Sequence, residues 1–165
     1  MHGHIDLDID IEEFKVLDYN VATIDSVFHK QYVDAGHSFY SMILYNYFEP
    51  NPMPKSVDVI KKHFNYLSPL SVAVNYCKPG QYLPLHKDLY KKWKQVYNIN
   101  NIDKILRSIV MLEDSQPGQL LQIENQCYTT WKSGDYFTWQ GSTLHAIYNF
   151  SKTDRYAIQV TGYKE

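Results

Sequence analysis

Ser71-Val72-Ala73-Val74-Asn75-Tyr76-Cys77-Lys78-Pro79-Gly80-Gln81-Tyr82-Leu83-Pro84-Leu85-His86-Lys87-Asp88 is the stretch on which the reading of this chain turns. Residues 71–77 carry the β-branched and aromatic side chains of a strand, Pro79-Gly80 is a turn signal, and 82–87 form a second run. The same texture continues to the C-terminus, with strand-like runs at 105–113, 118–124, 126–132, 135–140, 143–150 and 155–162. They are punctuated by Pro117-Gly118, Asn125, Ser133-Gly134-Asp135, Gly141-Ser142 and Ser151-Lys152-Thr153-Asp154. Eight short runs in roughly 90 residues predict a mainly β fold, a sandwich or jelly roll.

Upstream of this region the pattern is mixed. Ile5 to Ile11 alternates apolar and acidic residues, which predicts a half-buried strand. Ile24, Val27, Phe28 and Tyr32 recur at helical spacing with Gly36 as a stop, and Phe39 to Phe48 reads as a strand. After the breaker Asn51-Pro52-Met53-Pro54, Ser56 is placed to cap a short helix whose stripe includes Val59, Ile60 and Phe64. With no repeat and no linker, residues 1–165 read as one domain, in which 1–69 buttress a β core spanning 70–163.

Composition narrows the function classes. The 165 residues are enough to bury a core without disulfides, and the aromatic share is high at 15%, with 15 tyrosines. A net charge of -2 supplies no global positive field for nucleic acid or an anionic membrane. The N-terminus has acids where a signal peptide needs an apolar run, and no stretch has the length of a membrane span. Cys77 and Cys127 lie far apart and in no metal-binding pattern, so both read as reduced thiols of a cytoplasmic protein.

His86-Lys87-Asp88 carries the chemistry. Residues two apart on a strand share a face, so the imidazole and the carboxylate can reach one ion, with His145 as a third ligand from a later run. Two histidines and one carboxylate on one face of an octahedron leave the opposite positions open for substrate and dioxygen, as in non-haem iron(II) oxygenases. A second His-x-Asp, His4-Ile5-Asp6, sits at a terminus expected to be mobile and reads as incidental. Arg155 follows His145 by ten residues across a turn. A guanidinium beside a metal site calls for an anionic ligand, and 2-oxoglutarate fits: one end can chelate iron while the far carboxylate pairs with arginine.

From residue 70 to about 163 the chain resembles the Fe(II)/2-oxoglutarate dioxygenase superfamily, in the pattern His-x-Asp, a long gap, His, ten further residues, Arg. The string Asn75 to Asp88 is similar to the prolyl 4-hydroxylase group, with one extra residue between the Gly80-Gln81-Tyr82 turn and His86. Trp131 to Gly162 resembles small stand-alone oxygenases of tailed phages, which would place the protein in a host cytoplasm. The resemblance implies a double-stranded β-helix of cupin-like type, Fe(II) as metal, 2-oxoglutarate and O2 as co-substrates, and catalysis at His86, Asp88 and His145. It implies Arg155 as the 2-oxoglutarate anchor and Tyr76 as a second contact to the same carboxylate. Where many members have Arg-x-Ser or Arg-x-Thr, this chain has Ala157, so that hydroxyl must come from elsewhere.

The basic and aromatic segment Leu89 to Tyr97 is expected to be a loop that covers substrate. Arg107, Gln122, Glu124 and Trp139 are candidates to line the cavity, and Asn149 faces either the pocket or the scaffold. The expected activity is hydroxylation of a C–H bond in an unidentified primary substrate, a peptide or protein side chain being favoured. The alternatives are a nucleobase or nucleic-acid oxygenase and a non-enzymatic cupin-like protein that binds a metal or ligand. No membrane and no obligate protein partner are expected.

Overall fold

The computed structural model describes residues 2–164. Along the chain run β1 (His2–His4), α1 (Glu12–Lys15), β2 (Asn20–Ala22), α2 (Ser26–Asp34), β3 (Leu44–Phe48) and α3 (Val57–His63). The β core follows as β4 (Leu70–Cys77), β5 (Gln81–His86), β6 (Ile105–Met111), β7 (Gln119–Ile123) and β8 (Gln126–Tyr128), closing with β9 (Asp135–Gln140), β10 (His145–Asn149) and β11 (Arg155–Tyr163). A short helix, α4 (Lys91–Tyr97), stands between β5 and β6.

Each of the eight expected runs contains a strand, and they divide into two antiparallel sheets. One has the order β1-β9-β6-β11-β4-β3-β2 and the other β5-β10-β7-β8. Apart from the β7–β8 hairpin, successive core strands alternate between sheets, which winds the chain into a jelly roll. No helix among the described residues is long and apolar enough to cross a membrane.

The larger sheet is covered on both faces. Its inner face joins the smaller sheet through Ile109, Met111, Leu121, Trp131, Phe137, Trp139, Ile147 and Ala157. Its outer face carries Val72, Val74, Val110, Ile158 and Val160 against Phe14, Val57, Ile60, Phe64 and Leu67. Alternation along β11 sets this division: Tyr156, Ile158 and Val160 pack outward, so Arg155, Ala157, Gln159 and Thr161 point between the sheets.

The N-terminal third departs from expectation in four places. Residues 5–10 form no strand, because the chain has left the sheet edge: Ile5, Leu7, Ile9 and Ile11 pack onto the outer apolar layer with no ladder to join. The terminus before them is not loose, since His2 and His4 pair with Phe137 and Asp135 of β9. Of the run 39–48, only Leu44–Phe48 is a strand; Phe39–Ser41 is a 3-10 turn. Ser56 has helical backbone angles and makes no capping hydrogen bond, and Val59 is exposed while Val57 and Ile60 are buried. The stop after α2 is as expected, with Gly36 at φ +97°, a conformation costly for any residue with a Cβ.

Candidate metal site

The site forms where β5 and β10 lie side by side. His86, the last residue of β5, is the direct cross-strand partner of His145, the first of β10, and the two rings are 4.4 Å apart between centroids. Each Nδ1 faces a backbone carbonyl two residues earlier, Pro84 O at 2.7 Å for His86 and Thr143 O at 3.1 Å for His145. Those contacts place the proton on Nδ1, because a carbonyl only accepts, and leave each Nε2 with a free lone pair.

Asp88 completes the group. Its Oδ1 lies 3.9 Å from His86 Nε2 and its Oδ2 lies 3.5 Å from His145 Nε2. One ligand atom from each of the three residues fits within 4.8 Å of the others. Both histidines are buried.

Electrostatics favour the ligand forms. Burial holds both imidazoles below their ordinary range, His145 down to about 4, so both are neutral at pH 7. Burial alone would push the Asp88 carboxyl up, but the Arg107 guanidinium beside it leads the opposing pull and the carboxyl stays below its usual range. Two neutral imidazoles and an ionised carboxylate are the protonation states that metal binding requires. Asp88 Oδ2 is buried and makes no aligned hydrogen bond, although the Arg107 guanidinium stands 2.8 Å away as an ion pair. A carboxylate with one oxygen beside each imidazole nitrogen fits a divalent ion of the first transition row.

The three residues border a cavity of about 340 Å³. Arg107, Ile109, Trp139, Ile147 and Gln159 line it from the two sheets, and Thr23 to Asp25 and Leu89 to Lys91 form part of its wall. Of the candidates for the lining, Arg107 and Trp139 belong to it. Gln122 and Glu124 do not: the Gln122 amide donates to the Glu124 carbonyl, in the turn between β7 and β8. Asn149 belongs to the scaffold, its amide donating to the carbonyls of Cys77 and Thr153 and its oxygen accepting from Ser151.

Arg155 is buried and does not line this cavity; it borders a separate one of about 250 Å³ together with Gln119, Trp131 and Asp154. It is 5% exposed, its Nη2 donates to Met111 Sδ at 3.4 Å, and its guanidinium sits 5.2 Å from the Trp131 ring centre. No carboxylate among the described residues forms an ion pair with it, and its Nε has no hydrogen-bond partner. Burial lowers it to about 10, so it is still charged at neutral pH.

Tyr76 is on the wrong face for the role expected of it. It packs with Val72 and Val74 on the outer layer, stacked between Tyr45 and Tyr156 and edge-on to Tyr19. Its neighbours Asn75 and Cys77 are the ones that point inward. The segment after Asp88 is also not a loop throughout, because residues 91–97 form α4. Trp93 turns from the cavity, donating from Nε1 to Ser71 Oγ at 3.1 Å and joining a cluster with Tyr90, Ile99 and Ile105. His4 binds Asp135 at 2.9 Å, which leaves the second His-x-Asp a surface contact.

No protein-family model matches the chain, and no curated protein does. Solved structures do match. A prolyl-4-hydroxylase of Pseudomonas putida superposes with a TM-score of 0.54 at 9% identity, over 94% of this chain and 97% of that one. The fold is a cupin-type jelly roll. A predicted oxalate decarboxylase of Thermotoga maritima gives a TM-score of 0.45 at 15% identity, over 73% of this chain and 81% of that one. The cupin domain of a transcriptional regulator of Enterobacter cloacae gives 0.46 at 10%, over 74% and 98%. At such identities the likeness is one of fold, and the chemistry must be argued from the site.

Proposed function

We propose that this protein is an Fe(II)- and 2-oxoglutarate-dependent dioxygenase that hydroxylates a C–H bond of its primary substrate. The observation that carries the reading is the buried His86, Asp88 and His145 set at the mouth of a cavity between two sheets. It offers two nitrogens and a carboxylate, the donor set of non-haem iron(II) oxygenases. With Fe(II), 2-oxoglutarate and O2 bound, the site would couple decarboxylation of the keto acid, giving succinate and CO2, to hydroxylation of the substrate.

The chain's own residues hold and orient. His86 and His145 present Nε2 because backbone carbonyls fix their tautomers, and Asp88 supplies the negative ligand. Trp139 packs on the His145 ring at 4.9 Å, and Ile109 and Ile147 keep the inner wall apolar. Arg155 is the group for the far carboxylate: a buried guanidinium without an anion is costly, and an acid entering between the sheets would relieve it. A peptide or protein side chain is the favoured substrate class, on the resemblance of Asn75 to Asp88 to prolyl hydroxylases. A nucleobase is disfavoured by the net charge of -2.

One observation favours a second reading. Met111 Sδ occupies the contact to Arg155 Nη2, and Arg155 is absent from the lining of the metal cavity, as suits a cupin that binds a metal and no keto acid. Anaerobic addition of Fe(II) and then 2-oxoglutarate separates the two. A weak visible band that appears only with both, and succinate release on screening peptides and nucleotides, is expected for the oxygenase. Metal binding with no response to 2-oxoglutarate would leave the metal-binding cupin.

A further inference from the structure

We propose that Arg107 is a positioning residue that sets the rotation of the Asp88 carboxylate in the metal site, and that Tyr90 holds Arg107 for this purpose. The inference rests on the metal reading above.

Asp88 needs such a partner. It lies two residues beyond the end of β5, where the chain has left the sheet, so no ladder hydrogen bond restrains it. Its carboxylate has both oxygens near the histidines, and backbone geometry alone does not decide which is offered to an ion.

Arg107 is placed to decide it. It stands on β6, an interior strand paired on both sides, opposite Thr161 of β11 and Trp139 of β9. Its side chain is 10% exposed, and its Nη2 reaches Asp88 Oδ2 at 2.8 Å. Arg107 Nε donates to Tyr90 Oη at 3.4 Å, and the guanidinium carbon lies 5.2 Å from the Tyr90 ring centre. The planar group is thus held along its edge by Tyr90 Oη and Asp88 and lies over the Tyr90 ring, a fork that an ammonium does not reproduce.

The backbone of Tyr90 supports the assignment. Its φ is +50°, a left-handed conformation uncommon for residues with a Cβ and unfavourable for a bulky one. That conformation starts α4 and carries the ring into the site, where Tyr90 is 8% exposed beside Arg107. Strain of this kind persists where the surroundings demand it, and it gathers at functional sites.

The test uses Co(II), whose visible d–d bands report coordination without 2-oxoglutarate or turnover. Wild type, Arg107→Met, Arg107→Lys and Tyr90→Phe are titrated anaerobically. Arg107→Met should bind Co(II) about 10- to 100-fold more weakly, the usual loss when the group that orients a ligand is removed, with altered bands. Arg107→Lys should recover part of the affinity, and Tyr90→Phe should shift the bands by less than Arg107→Met. Unchanged affinity and bands in a folded Arg107→Met overturn the positioning role alone. If Arg107→Met does not fold, wild-type bands and affinity in both Arg107→Lys and Tyr90→Phe overturn it. A wild type that binds no Co(II) overturns the metal reading itself, and this inference with it.

Discussion

His86 and His145 face each other as register partners across β5 and β10, and each donates Nδ1–H to the carbonyl of the residue two positions earlier in the chain. Neither ring is free to choose its nitrogen. The site is therefore assembled by strand pairing and does not wait for a metal to gather its ligands. His86→Ala and His145→Ala should each abolish Fe(II) or Co(II) binding while the circular dichroism spectrum is unchanged, unlike the collapse expected when a closed structural zinc site is broken. Loss of the β spectrum in both variants would mean that the pair serves the scaffold.

Arg155 separates co-substrate binding from stability with opposite signs. Arg155→Met removes a buried charge with no ion-pair partner among the described residues, so the protein without co-substrate should gain stability, by about 1–3 kcal/mol. At roughly 2–4 °C per kcal/mol for a domain of this size, melting should rise by several degrees. Loss of a buried charge partner costs about 2–5 kcal/mol of binding, so 2-oxoglutarate should bind about 30-fold to several thousand-fold more weakly. Calorimetry with Mn(II)-loaded protein measures the second effect and a thermal melt the first. Undiminished 2-oxoglutarate affinity in a folded variant would remove Arg155 from the site.

Acid should destabilise the metal-free protein in a defined window. His145 has an ordinary pKa of 6.5 when unfolded and about 4 when buried in the fold. As pH falls from 6.5 toward 4, the unfolded state takes up a proton that the native ring refuses, so stability present above that window is progressively lost, by roughly 3 kcal/mol in all. His86 is shifted in the same direction and adds to the loss. Urea denaturation between pH 7 and 4.5 should show a slope that is shallower in His145→Asn; equal slopes would mean that His145 is not the group responsible.

Trp93 and Tyr90 should behave differently although they are only three positions apart. Trp93 packs in the satellite cluster and holds Ser71, so Trp93→Ala should cost roughly 1–3 kcal/mol of stability with metal binding little changed. Tyr90→Phe keeps the packing and loses the oxygen facing Arg107, so it should barely change the melt while altering Co(II) spectra. The reverse assignment of effects would place the substrate wall at Trp93.

Much of the architecture was legible in the residues alone. The eight runs between 70 and 163 became eight strands because turn signals and β-formers act locally. His145 fell at the start of its strand, and His86 and Asp88 do come within reach of one ion, but not as one strand face: β5 ends at His86, and Asp88 reaches the site from the segment beyond it. Other features were open until the sheets were assembled. Alternation says which residues share a face but not which face is inside, and the larger sheet is apolar on both, so Tyr76 and Arg155 read alike until packing sent one outward and the other inward. The alternation of Ile5 to Ile11 suited a strand, but a strand requires a neighbour and none was available. Arg107 meets Asp88 across 19 positions of sequence because β6 and the end of β5 converge at the cavity. Local preference is written in the chain; partners distant in sequence are chosen by the two sheets closing on each other.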